Sequence, residues 1–107
     1  VISVQERATN IIKEELEKKG IKVVKIILFG SRARGDFKPD SDWDFLVVVD
    51  KEIKPYERRE IIGNIQVKLA YYKISNDIII NSFSRLEEQK NDVGKITYYA
   101  MKYGVEV

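Results

Sequence analysis

The sequence predicts an α+β domain, a small mixed β-sheet with helices packed on one side. Helical-period and strand-like segments alternate in the order α-β-β-α-β-α-α, which suits a mixed sheet covered by helices. Two short runs, Val23–Phe29 and Trp43–Val49, are dense in β-branched and aromatic residues and bounded by Gly, Ser and Asp, as strands are. At 107 residues, with no internal repeat, linker or low-complexity stretch, the chain is expected to form one domain over residues 1–107.

Each element has a local reason. Ser3-Val4-Gln5-Glu6 reads as a capping box. The stripe Val4, Ala8, Ile11, Ile12, Leu16 continues it at helical spacing, and Gly20 sits where a left-handed C-terminal residue is expected. The first strand follows. Gly30 to Ser41 is polar, with two glycines and Pro39, and reads as a loop around a short helix. After the second strand, Pro55 opens a helix to about Tyr72 with Ile61, Ile62, Ile65 and Leu69 on one face. Ile74 to Ile80 predicts a third strand. Ser84-Arg85-Leu86-Glu87 repeats the capping-box pattern for a short helix to about Lys90. Asn91 or Asp92 is expected to cap a last helix, Val93 to Tyr103, ended by Gly104, and Val105-Glu106-Val107 an edge strand.

Composition removes several chemistries. There is no cysteine, hence no disulfide, thiolate zinc site or thiol nucleophile. With no histidine, the commonest general base is missing too. Catalysis is left to carboxylates, hydroxyls, lysines, arginines or a bound hard cation. The net charge of +2 is nearly balanced, so strong nucleic-acid binding is not expected. No apolar stretch reaches the ~20 residues of a membrane span, and no signal segment is visible, so the expected location is cytoplasmic.

One constellation uses what remains. Gly30-Ser31 ends the first strand, and Asp42-Trp43-Asp44 opens the second. Two Asp at i and i+2 on a strand share a face, with Cα atoms roughly 6.6 Å apart. Carboxylates so close repel unless a cation lies between them, and hard oxygens beside phosphates suit Mg²⁺. A glycine after a strand lets backbone N–H groups approach a phosphate. Asp77 stands among Ile74, Ile78, Ile79 and Ile80, where an unpaired charge is costly, and is expected to complete a three-carboxylate site. Arg32 and Arg34, between the serine and the acids, can complement phosphates.

The pattern Gly30-Ser31-x10-Asp42-x-Asp44 with a distal Asp77 resembles the DNA polymerase β-like nucleotidyltransferase superfamily. The fuller text GSRARGDFKPDSDWDFLVVVD, the later Asn76-Asp77-Ile78-Ile79-Ile80 and the tyrosine-rich tail are similar to its minimal nucleotidyltransferase branch, the small antitoxin partners of HEPN-domain proteins. The resemblance implies that fold, and catalysis by Asp42, Asp44 and Asp77 holding two Mg²⁺ ions. Gly30 and Ser31 would contact the β- and γ-phosphates of ATP, with Arg32 and Arg34 as phosphate neighbours. It also implies transfer of AMP to a tyrosine of a cognate HEPN ribonuclease toxin, in a hetero-oligomer with it. A non-catalytic module that blocks its partner by contact, and transfer to a small-molecule or nucleic-acid acceptor, are the alternatives.

Overall fold

The computed structural model describes residues 1–107. Helix α1, Val4–Glu17, begins where the Ser3 hydroxyl accepts the Glu6 N–H at 3.1 Å, half of the expected capping box. The chain turns back through Gly20 at φ +72° into β1, Val23–Phe29. One helical turn, α2 (Ser31–Arg34), leads by a polar loop to β2, Trp43–Val49. Helix α3, Pro55–Tyr71, starts on its proline. Then follow β3 (Asn76–Ser82), α4 (Phe83–Gln89), α5 (Ile96–Tyr103) and the two-residue β4, Val105–Glu106.

The sheet has the order β3-β2-β1-β4. β1 pairs antiparallel with β2 and with β4, whereas β2 and β3 are parallel, joined by the α3 crossover. The mixed sheet is therefore as expected. One-sided packing describes only the two long helices. On one face α1 and α3 close a 17-residue core that includes Ile12, Leu16, Phe45, Val47, Ile61 and Leu69. On the other, Leu86 of α4 and Ala100 of α5 cover Ile27, Phe29, Leu46 and Val48. The reason lies in β1 and β2, which are apolar at consecutive rather than alternate positions. Strands of that kind need cover on both faces.

Three boundaries differ from expectation. Strand β3 starts at Asn76 because Ile74 still belongs to the end of α3, its N–H bonding back to the Leu69 carbonyl at 3.0 Å. Ser82, not Ser84, caps α4, accepting the Arg85 N–H at 3.1 Å. Helix α5 starts at Ile96 because Asp92 turns its carboxylate to the Gly94 N–H, 3.2 Å away, and makes a local turn instead of a cap.

Candidate active site

The sheet's alternation places the acids. Asp44 shares a side of β2 with Leu46 and Val48, and Asp77 shares a side of β3 with Ile79, so both carboxylates emerge on the α4/α5 face. The parallel register sets Asp44 directly beside Asp77, on strands about 4.8 Å apart. On the other flank Asp44 pairs with Phe29, the last residue of β1. It therefore stands between the end of one strand and the start of another, next to Gly30.

That proximity explains the glycine. Gly30 adopts φ +75°, a region unfavourable for other residues, and a Cβ there would collide with the Asp44 carboxylate. Ser31 then opens α2, where the Ala33 and Arg34 N–H groups bond to the Gly30 carbonyl and leave the preceding N–H groups of the turn unused by the helix.

Asp44 is half-buried, and its carboxyl is pushed above the ordinary value of 3.8. Burial is the largest cause; the charges of Asp77 and then Asp42 add to it, and Arg34 opposes them. Two negative groups thus bear on Asp44 at the end of the sheet. Asp42, just before β2, is exposed and accepts a hydrogen bond from the Ser75 hydroxyl. The expected three-carboxylate arrangement does not close: no three acidic side chains form a ligand cage. The donor set nonetheless fits a hard divalent cation, being all carboxylate oxygen and electrostatically strained without one.

The two arginines part company. Arg34 is exposed, donates from Nη1 to the Tyr99 hydroxyl of α5 at 3.1 Å and pairs with Asp36 at 3.3 Å. Its charge is felt by Asp44, so it stands on the side of the acids. Arg32, the other expected phosphate neighbour, packs against its own loop. Its guanidinium lies over Phe37 and Trp43, 4.4 and 4.7 Å from the ring centroids, and donates to the carbonyls of Pro39 and Ser41, each at 3.1 Å. These contacts tie it to the α2–β2 loop.

Sequence reasoning missed Ser75 and Tyr99. Ser75 had a faint signal, standing two residues before Asp77. Tyr99 had none that set it apart from the other five tyrosines.

The mixed four-stranded sheet with its helices is consistent with the polymerase β-like nucleotidyltransferase fold. Residues 9–103 match the family described as the nucleotidyltransferase domain, and the chain belongs to that family. The protein is thus a nucleotidyltransferase, an enzyme that uses a nucleoside triphosphate. It is 32% identical over 99 residues, 92% of this chain and 86% of the relative, to a Methanocaldococcus jannaschii protein whose name provisionally makes it a protein adenylyltransferase. Among solved structures it is similar to a chain of a toxin-antitoxin crystallised with AMP-PNP. The TM-score is 0.55 and the identity 21%, over 91% of this chain and 69% of that one, a likeness that speaks for the fold. No helix is long and apolar enough to cross a membrane.

Proposed function

We propose that this nucleotidyltransferase moves AMP from ATP to a tyrosine hydroxyl of a HEPN-domain ribonuclease toxin, in the cytoplasm, and so acts as its antitoxin. The observation that carries the reading is the register of Asp44 with Asp77, beside a glycine whose missing side chain makes room for the Asp44 carboxylate. The protein-adenylyltransferase name of the Methanocaldococcus relative and the AMP-PNP of the toxin-antitoxin structure support its direction.

In this reading Gly30 and Ser31 hold the β- and γ-phosphates through backbone N–H groups and the serine hydroxyl, which makes no hydrogen bond within the chain. Arg34, already on the acid side, adds a cation for the phosphates. Asp42 and Asp44 would hold two Mg²⁺ ions, Asp77 completing the set, once Asp42 leaves Ser75. Bound there, the ions would ease ionisation of the acceptor hydroxyl and offset charge on the departing pyrophosphate. Asp77, exposed at the start of β3, would help to take the hydroxyl proton. The oxygen then attacks the α-phosphorus, the bond to the bridging oxygen breaks, and pyrophosphate leaves. Positioning and charge supply the acceleration, so no histidine is required.

The test is transfer from α-labelled ATP to a purified HEPN-domain partner, with Mg²⁺, with chelator, and with Asp42→Ala. The reading predicts label on a partner tyrosine in the first case alone, and loss of partner inhibition together with label. Full inhibition by Asp42→Ala without label would establish contact-only neutralisation instead.

A further inference from the structure

The two edges of the sheet are guarded differently. β4 is two residues long, and a strand so short offers little to pair with. β3, the other edge, runs for seven residues in unbroken parallel register with β2. It reads Asn-Asp-Ile-Ile-Ile-Asn-Ser, without the proline, lysine or bulge by which edge strands refuse further pairing. Alternate backbone N–H and C=O groups of this strand point away from β2.

The bare edge is also shaped and charged. It lies in a groove of about 320 Å³, lined by Ile78 to Asn81 with Arg58 and Ile62 of α3 and Arg85 of α4. Ile62 and Ile79 are only half-buried there. Charge is graded along the strand. Asp77 stands exposed at its start. Arg58 and Arg85 stand at its far end, near Asn81 and Ser82. Arg85 reaches Glu52 at 3.5 Å, whereas Arg58 takes part in none of the chain's ion pairs.

This gradient selects an occupant and an orientation. A second β3 laid parallel and in register would set Asp77 beside Asp77 and Arg85 beside Arg85. Laid antiparallel and centred on Ile79, it sets Asp77 of each copy opposite Asn81 of the other, at the arginine end. Opposite charges then meet twice, and Ile79 packs against its own counterpart. Such self-complementarity is what a two-fold interface requires.

We propose that two copies of this chain pair through their β3 edges, antiparallel about Ile79, joining two four-stranded sheets into one. The pairing brings Arg85 of each copy toward Asp77 of the other, where the mechanism proposed above places a cation. Transfer per chain should therefore fall as chain concentration rises, and this consequence alone rests on that mechanism.

Sedimentation velocity on the whole chain, without nucleotide or partner, tests the pairing. At about 100 µM an interface of this modest size should hold most chains in pairs that separate on dilution. Ile79→Lys should leave single chains with an unchanged circular dichroism spectrum, since an edge lysine opposes pairing. Asp77→Lys and Arg85→Glu each act twice in a symmetric pair. Either should raise the dissociation constant roughly threefold to tenfold, and the chain carrying both should return toward wild type. Both positions are exposed, so they keep the test decisive if the Ile79 variant does not fold. Single chains at every concentration, or pairs indifferent to Ile79→Lys and to the charge exchange, overturn the proposal. So does hydrogen-exchange protection of the β3 edge that arises only with a HEPN-domain partner, which assigns the edge to that partner instead.

Discussion

Glu15 and Asp44 are both carboxylates withdrawn from water, on opposite faces of one sheet, and their surroundings push them in opposite directions. Glu15 is almost fully buried beside α3 and accepts hydrogen bonds from Lys18 at 2.8 Å and Lys68 at 2.6 Å. The Lys18 bond first, then the Lys68 bond, holds its carboxyl below the ordinary 4.5. Asp44 has burial and two further acids around it and is held above 3.8. One face satisfies its buried charge and joins α1 to α3. The other leaves like charges facing one another, the kind of arrangement that perturbs carboxyls at functional sites.

Substitutions should break the comparison unequally. The largest effect belongs to Asp44→Asn. Nucleotidyl transfer should fall by more than about a hundredfold, the upper range for residues that merely support metal ligands. In cation-free buffer the melting temperature of the same variant should rise, because a like-charge contact is relieved. Glu15→Gln should do the reverse, leaving transfer untouched while stability falls by roughly 1 kcal/mol, the upper range for partly solvated pairs.

Acidity sharpens the contrast. The folded state releases the Glu15 proton more readily than the unfolded chain does. Its stabilisation is therefore full above 4.5 and lost as pH falls through the lowered value. For Asp44 the folded state holds the proton more tightly. Its contribution is present below 3.8 and lost as pH rises through the raised value. Denaturation of the two variants across pH 3 to 7, in chelator, should show their differences from wild type shrinking together toward the acid end and growing with opposite sign toward neutrality.

A smaller effect separates glycines by what surrounds them. Gly30 and Gly20 both have positive φ, but only at Gly30 does a Cβ meet the Asp44 carboxylate. Gly20→Ala should cost about 1 to 2 kcal/mol of stability from the backbone alone and leave activity intact. Gly30→Ala should cost more and also reduce transfer, as assayed with labelled ATP. The smallest effect is that of Tyr99→Phe, which removes the hydrogen bond to Arg34. KM for ATP should rise by roughly twofold to fivefold with kcat unchanged.

The same contrast shows what a sequence can and cannot disclose. Asp42, Asp44 and Gly30 were legible because strand period and a strand-end glycine are local features. The nearness of Asp77 needed the parallel register of β2 and β3, which a crossover creates and no local pattern states. Helices on both faces were implied by the unbroken apolar runs of β1 and β2, yet a count of elements alone did not reveal them. Arg32 reads as a phosphate neighbour by position, and its contacts with Phe37 and Trp43 exist only once the loop has folded. Ser82 displaced Ser84 as a cap because β3 runs straight into α4.

In the proposed mechanism Asp44 and Asp77 work as one unit across neighbouring strands. Transfer from α-labelled ATP by Asp44→Asn, Asp77→Asn and the double variant tests it most directly. Each single variant should abolish most activity and the double should be scarcely worse, since groups acting together are not additive. Near wild-type transfer by Asp77→Asn would contradict the account.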